Sequence, residues 1–307
     1  MNHPAISIDG ISKFYRTGLL GKRFTALDNI AIEVPQGEIL GYLGPNGSGK
    51  TTTFKVLLGL IKPSSGSFSI MGQAAGRESR EKIGFLPENP YFYMYLTAAE
   101  SLDFQGRLKG MKKNDRIKKI KELLALVGLE HTGKRQLRKF SRGMLQRTGI
   151  AQALMNDPDI LILDEPMSGL DPMGRKQMRD VILGCRDQGK TVIFSSHILS
   201  DVELMCDRVA ILNQGKLQDI VKVGEMLDSR IDHWEITCTN LADLTPFADR
   251  AFSVRNSGEQ ILLKVKAENE AKKIMWDIEK SGGKVVSFGP QREGLEDFFV
   301  KQAGGTI

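Results

Sequence analysis

The run Gly44–Thr52, GPNGSGKTT, constrains this chain more than any other stretch. It matches G-x-x-x-x-G-K-[ST], with Gly44, Gly49, Lys50 and Thr51 in the fixed places. Ahead of it, Glu38–Leu43 (EILGYL) follows a Pro-Gln-Gly turn and reads as a short buried strand. After it, Thr51–Leu60 carries apolar residues at helical spacing. A strand, a glycine loop and a helix in that order make a phosphate cradle. Glycines let the backbone bend sharply and aim successive N–H groups at phosphate oxygens, and the helix start adds the positive end of its dipole. Lys50 is expected to meet the β- and γ-phosphates of a nucleotide, and the Thr51 hydroxyl to ligate Mg²⁺. Gly44, Pro45, Asn46, Gly47, Ser48, Gly49 and Thr52 complete the expected phosphate-binding set.

At 307 residues the chain exceeds an average single core and is expected to form two domains. A hydrophobic fraction of 41% and a charged fraction of 26% belong to a globular protein, not to a disordered or membrane-embedded one. The longest apolar runs, such as Val56–Ile61, fall far short of the roughly 20 residues that cross a bilayer. The opening MNHPAISIDG has neither a basic n-region nor an apolar stretch, so no secretory signal is expected. Cys185, Cys206 and Cys238 are odd in number, far apart and not at metal-ligand spacing, and read as small buried hydrophobes in a reducing compartment. A net charge of +6 suits phosphates or anionic lipid but is too diffuse to choose between them.

Ile6, Ile8 and Ile11, then Ile30, Ile32 and Val34, alternate with polar residues, as in an antiparallel sheet with one buried face. Between them lies KFYRTGLLGKRFTAL. There Tyr15 reads either as a ring that stacks on a nucleotide base or as an ordinary strand aromatic, with Phe14 its rival. Lys62–Gln73 reads as turn and strand, and Lys82–Asn89 as a strand ending at a Pro87 turn. From about residue 88 to 153 the pattern is helical. Thr97 and Glu100 form a capping box ahead of Ser101–Leu108. Asn114 opens a helix with Ile117, Ile120, Leu124 and Val127 on its buried face and a stop at Gly128. Its other face, including Arg116, is basic and reads as solvated. In FSRGMLQR (Phe140–Arg147), Ser141 is placed to cap a helix running to Asn156, and with Gly143 it offers a second anion-binding helix start. That start has no reasonable path to the phosphates of its own loop, which points to a second subunit.

Asp157-Pro158 breaks the helix and leads into Ile160–Glu165, ILILDE, a buried strand delivering two acids at its carboxyl end. Adjacent buried acids raise one another's pKa, an objection that bound Mg²⁺ removes. Asp164 is expected to hold the metal and Glu165 to act as general base toward the attacking water. Ser168–Asp171 (SGLD) makes a tight turn before a helix over Pro172–Gln188. Thr191–Ser195 is the next buried strand, with His197 just past its end as a candidate contact for a γ-phosphate. Arg208–Asn213 and Lys216–Ile220 form a closing hairpin.

Taken together, these segments resemble the ATP-binding subunit of ABC transporters over roughly Ile6–Leu227. GPNGSGKTT matches its phosphate-binding loop, FSRGM its signature, ILILDE its second acidic motif, SGLD its D-loop and His197 its switch histidine. The resemblance implies an α/β fold: a P-loop NTPase nucleotide-binding domain over residues 1–228, with a mixed sheet core, an antiparallel β subdomain and a helical subdomain at about 88–153. It implies an ATPase using ATP and Mg²⁺, with Lys50, Glu165 and His197 catalytic, Tyr15 on the adenine, and Thr51, Asp164 and Glu88 about the metal. It also implies head-to-tail pairing with a second ATP-binding subunit, a homodimer being expected, in which Ser141, Gly143 and Asp171 work across the interface. A permease is expected to contact Pro87–Asn89. Two residues depart from the family pattern. Glu88 stands where glutamine is usual, and Arg142 replaces a signature glycine, where its cation either tightens ATP binding or stays solvated outside.

Beyond about Asp228, HWEITCT, LTPFADR, FSVRN, QILLKVKA, ENEAKKIMWDIEKSG and KVVSF suggest β-α-β-β-α-β, a small α+β ferredoxin-like domain at 229–307. Gly294–Gln302 (GLEDFFVKQ) resembles the tail of drug-efflux-type ABC subunits, which pair with ABC-2-type permeases. The expected function is therefore energy coupling at the cytoplasmic face of the inner membrane, peripheral through a permease, with no nucleic acid partner. The competing class is a non-transport ABC ATPase acting on ribosomes or nucleic acid. A single phosphate-binding loop and the lack of a sustained heptad run weigh against it.

Overall fold

The computed structural model describes residues 3–17, 22–225, 231–241, 245–248, 250–258 and 260–292. The chain divides into two compact units, Met1–Val223 and Gly224–Ile307. The expected boundary at residue 228 and the tail Gly294–Gln302 lie outside the described residues.

The first unit opens with β1 (Ile6–Thr17), β2 (Lys22–Val34) and β3 (Ile39–Leu43), followed by helix α1 (Lys50–Leu57). Then come β4 (Ser65–Ile70), β5 (Gln73–Ala74), α2 (Arg77–Glu81) and β6 (Ile83–Leu86). Helices α3 (Ala98–Leu108), α4 (Lys113–Leu126) and α5 (Arg142–Ala153) lead to β7 (Ile160–Leu163) and α6 (Pro172–Asp187). The unit closes with β8 (Thr191–Ser196), α7 (Leu199–Glu203), β9 (Arg208–Asn213) and β10 (Lys216–Lys222).

An antiparallel sheet of order β2-β1-β4-β5 arises from the alternating isoleucines. Ile6 pairs with Val34 and Ile8 with Ile32, and all four are buried. The described parts of the basic-aromatic stretch, residues 13–17 and 22–27, continue the same two paired strands, and Tyr15 pairs with Phe24.

The central sheet has the order β10-β9-β3-β8-β7-β6, parallel from β9 to β6 with β10 antiparallel at the edge. Strands β3, β7 and β8 are buried at every residue, which is why they read as unbroken apolar runs. Leu43 pairs with Ser196 and Leu163 with Phe194, so these strands end together. That common carboxyl edge brings Gly44, Asp164 and His197 into one neighbourhood. Beneath it, Phe54 of α1 packs on Tyr42 of β3 with ring centroids 5.6 Å apart, inside the cluster that also holds Ile6, Ile30 and Val34. Burying a side chain such as Phe54 contributes about 1.5–3 kcal/mol toward seating the loop helix on the sheet.

The helical segment departs from expectation in register. On α4 the buried residues are Arg116, Ile120 and Leu123, whereas Ile117 is 42% exposed. Arg116, expected on the solvated face, is turned inward because its guanidinium finds partners there. Its Nε donates to Asp103 of α3 and its Nη1 to the Met111 carbonyl at 2.9 Å. Helix α5 stops at Ala153, short of Asn156, and the chain reverses at Asp157 with φ +46°.

The second unit holds β11 (Ile231–Thr239), a short helix Thr245–Ala248, β12 (Ser253–Ser257), β13 (Gln260–Val265), the helix Glu268–Lys280 and β14 (Lys284–Arg292). Its sheet is antiparallel throughout in the order β12-β13-β11-β14, the ferredoxin-like arrangement. Trp234, Ile236, Cys238, Leu263 and Val265 of the sheet pack on Phe247, Ile274 and Ile278 of the helices as a core of their own.

Candidate functional site

The phosphate loop is shaped by steric necessity. A Cβ on Gly44 would come within 2.3 Å of the Leu212 carbonyl oxygen, and one on Gly49 within 2.8 Å of Leu27. Gly49 also sits at φ +109°, where L side chains are strained. Directly after it, the buried Lys50 begins α1 and donates to the carbonyls of Gly44 at 2.6 Å and Pro45 at 3.3 Å. The same ammonium stands 3.5 Å from Glu165 Oε1.

Glu165 follows the end of β7 with a left-handed backbone, φ +47°. Its Oε2 lies 2.9 Å from His197 Nδ1; an ionised carboxylate can only accept, so Nδ1 carries the hydrogen and Nε2 is left for other partners. Oε1 is buried with no hydrogen-bond partner besides the facing ammonium of Lys50. Behind this pair, the Asp164 carboxylate is buried and accepts from the Ser195 hydroxyl at 2.7 Å. The same hydroxyl accepts from the Glu165 amide at 2.7 Å.

A cleft of about 310 Å³ lies over the loop, lined by residues 46–52 together with Phe24, Ala26, Glu88, Glu165, Ser168 and His197. The structure thus brings the loop, Glu88, Glu165 and His197 together around one cleft. It adds Phe24, which is 55% exposed, where Tyr15 was expected to receive the base. Tyr15 lies directly across the ladder from Phe24, hence on the same face, but it does not line the cleft. Phe14, its rival, is covered by the Arg23 guanidinium 3.4 Å from the ring centroid. Glu88 is exposed at the cleft, and its carbonyl accepts from Gln146 Nε2 of α5 at 2.8 Å, tying the helical segment to the end of β6.

Ser141, Gly143 and Asp171 do not line this cleft. Ser141 caps α5 by accepting from the Met144 amide at 3.3 Å, and Asp171 caps α6 by accepting from the Gly174 amide at 2.8 Å. The Arg142 guanidinium lies against Gly169 of the SGLD turn, so that a Cβ on Gly169 would come within 2.8 Å of it. Ser195 and Ser168 were missed by sequence reasoning. A serine ending an apolar run carries no signal of its own, and only the strand pairing places Ser195 beside the acids.

Thr51, Asp164 and Glu88 offer hard oxygen donors, the chemistry Mg²⁺ takes. Among the described residues no group of three or more His, Cys, Asp or Glu could hold a metal by itself. The donor set therefore fits an ion completed by phosphate oxygens and water, as is usual for Mg²⁺.

A lysine-bearing glycine loop facing a carboxylate-histidine pair, at the carboxyl edge of a parallel sheet, defines a P-loop nucleotide hydrolase. Residues 27–168 match the ABC transporter family. The chain is 42% identical over 296 residues to an uncharacterized ABC transporter ATP-binding protein of Synechocystis sp., a match covering 95% of this chain and 82% of that one. It is 37% identical over 287 residues to the bacitracin transport ATP-binding protein BcrA of Bacillus licheniformis, covering 91% and 93%. Among solved structures, the dimeric post-hydrolysis ATP-binding cassette MJ0796 bound to ADP and Pi superposes with a TM-score of 0.62 at 26% identity, over 71% of this chain and 98% of that one. The chain belongs to the ATP-binding proteins of ABC transporters and is an ATPase.

Proposed function

We propose that this chain is the energy-coupling subunit of an ABC-2-type exporter, which pairs with a second copy of itself around two ATP and drives a separate permease from the cytoplasmic face of the inner membrane. The observation that carries the reading is the division of the site. Glu165 stands between Lys50 and His197 at the phosphate loop, while the Ser141–Gly143 helix start lies outside that loop's cleft. A partner copy's helix start would supply the missing donors to the γ-phosphate, as the positive end of a helix dipole does for an anion. Asp171 would act across the same interface.

Within one copy, Lys50 exchanges its loop carbonyls for the β- and γ-phosphate oxygens, and the loop amides bind the remaining ones. Glu165 takes the proton of the attacking water through the oxygen not held by His197. His197 fixes the carboxylate through Nδ1 and turns Nε2 toward the γ-phosphate. Thr51, Asp164 and Glu88 would hold Mg²⁺, whose positive charge would offset the negative charge of the phosphate oxygens. Tyr15 or its ladder partner Phe24 stacks on the base.

The permease reading is supported by an apolar patch just beyond Glu88. Tyr93 lies 5.9 Å from Tyr95 and 5.8 Å from Phe104 between ring centroids, and the three are 49%, 64% and 38% exposed, an aromatic cluster that favours a partner surface over water. No helix among the described residues is long and apolar enough to cross a membrane, so the spans would belong to the partner. The name and 37% identity of the bacitracin transport protein favour transport over a ribosomal or nucleic-acid role.

Two experiments test this reading. The tagged chain, purified from membranes extracted in mild detergent, should bring with it a stoichiometric multi-span protein. Ribosomal or DNA-repair proteins in its place would overturn the transport role and leave the ATPase standing. In the assembled complex, Glu165→Gln should cut turnover about 10²-fold or more while ATP still binds; parent-like turnover would remove Glu165 as the base.

A further inference from the structure

We infer that Ser195 is a positioning residue for ATP cleavage, whose single hydroxyl fixes the backbone from which Glu165 presents its carboxylate. The inference rests on Glu165 being the base proposed above. Ser195 is completely buried near the end of β8, one step beyond the last pair between that strand and β7, Leu163 with Phe194. At that step the ladder between the two strands stops. The Asp164 amide still donates to the Leu86 carbonyl of β6 at 2.8 Å, whereas the Glu165 amide, on the β8 side, finds the Ser195 hydroxyl where a ladder would offer a carbonyl.

The polarity of these bonds is settled by chemistry. An amide can only donate, so Ser195 Oγ accepts from Glu165; an ionised carboxylate can only accept, so Oγ gives its hydrogen to Asp164 Oδ1. One hydroxyl thus joins the two acids, one through its backbone and the other through its side chain. The backbone it holds is an unfavourable one. For a residue with a Cβ, the left-handed region at φ +47° persists only where the surroundings impose it. The direction of the Glu165 Cα–Cβ bond follows from that conformation, and with it the placement of the carboxylate 3.5 Å from Lys50 and 2.9 Å from His197. Without the hydroxyl, the Glu165 amide loses its partner and the peptide relaxes toward an extended or right-handed conformation. The carboxylate then moves off the line between Lys50 and His197, while the phosphate loop, built from other residues, is unaffected.

The test uses the full-length chain as Ser195→Ala. Its kcat should fall about 10- to 100-fold, the cost of misplacing a reacting group by an ångström or so. The KM for ATP should stay within about twofold of the parent, since the loop's phosphate contacts are intact. Fluorescent ATP-analogue binding in EDTA, which reads the loop without metal or turnover, should be unchanged. In the Glu165→Gln background, Ser195→Ala should cost nothing further, because a residue acting through Glu165 has nothing left to position. Turnover near the parent's in Ser195→Ala would overturn the proposal. So would a loss of equal factor in the Glu165→Gln background, or a loss of analogue affinity matching the loss of kcat. Should Ser195→Ala not fold, Ser195→Cys keeps the volume and replaces the hydroxyl by a poor hydrogen-bonding thiol; a parent-like kcat in that variant would equally overturn it. Glu165→Gln against the parent tests the base on its own, so the two readings can fail separately.

Discussion

Glu165, the proposed base, is held by few atoms. One oxygen faces a lysine and the other a histidine, and the main chain beneath sits where glutamate rests only under constraint. The aromatic pair at the cleft is decided as locally. Tyr15 and Phe24 are opposite one another in a ladder, so their rings share a face, yet only Phe24 lines the cleft over the loop. Phe24→Ala and Tyr15→Ala are each expected to weaken ATP binding about 5- to 10-fold, the worth of roughly 1–1.5 kcal/mol of stacking, with kcat unchanged. Equilibrium binding of ATP in EDTA checks both, and parent-like binding by Tyr15→Ala would leave Phe24 as the stacking ring. The places of the candidate residues Lys50, Asp164, Glu165 and His197 were legible in the sequence because each follows a short apolar run or a glycine loop that marks a strand end. Phe24 and Ser195 were not, because their roles depend on which strand lies beside which, and pairing leaves no mark on a single sequence.

At the scale of elements, α3 and α4 show where periodicity fails. Apolar spacing placed Ile117 inward and Arg116 outward, and the structure reverses them. The Arg116 guanidinium brings enough hydrogen-bonded charge, from Asp103 and the Met111 carbonyl, to outweigh a half-buried isoleucine. Arg116 beside Asp103, with Arg107 adding to it, holds that carboxyl below its ordinary range. Because the folded value is lowered, the stabilisation is complete above the unfolded pKa and is lost as pH falls through the folded one. Arg116→Met is therefore expected to destabilise the first unit by about 1–3 kcal/mol at pH 7. In urea denaturation the gap should hold constant down to about pH 5 and shrink below about pH 4, near the ordinary carboxylate value. The capping box of α3, by contrast, was fully readable, since it depends on two residues three apart. The Thr97 amide donates to Glu100 at 2.8 Å and the Glu100 amide donates to Thr97 at 3.2 Å. Thr97→Ala should cost about 1 kcal/mol in the same assay, and a loss below a few tenths would show that tertiary contacts alone hold the helix start.

At the scale of the whole molecule, the two units carry separate hydrophobic cores, and only the first contains the nucleotide loop. Both tryptophans belong to the second: Trp234 is buried and stacked 5.0 Å from Phe288, and Trp276 is 62% exposed. Tryptophan fluorescence therefore reports the unfolding of the second unit, while a nucleotide stabilises the first directly. ATP at a hundred times its dissociation constant, with EDTA to prevent turnover, should add about 2.7 kcal/mol to the unit that binds it. Followed by calorimetry, the transition of the first unit should move upward with ATP. Followed by tryptophan fluorescence in urea, the midpoint should stay where it is. If the fluorescence midpoint also moves upward with ATP, the two cores unfold as a single cooperative body, and the stabilisation conferred by ATP extends to the ferredoxin-like unit.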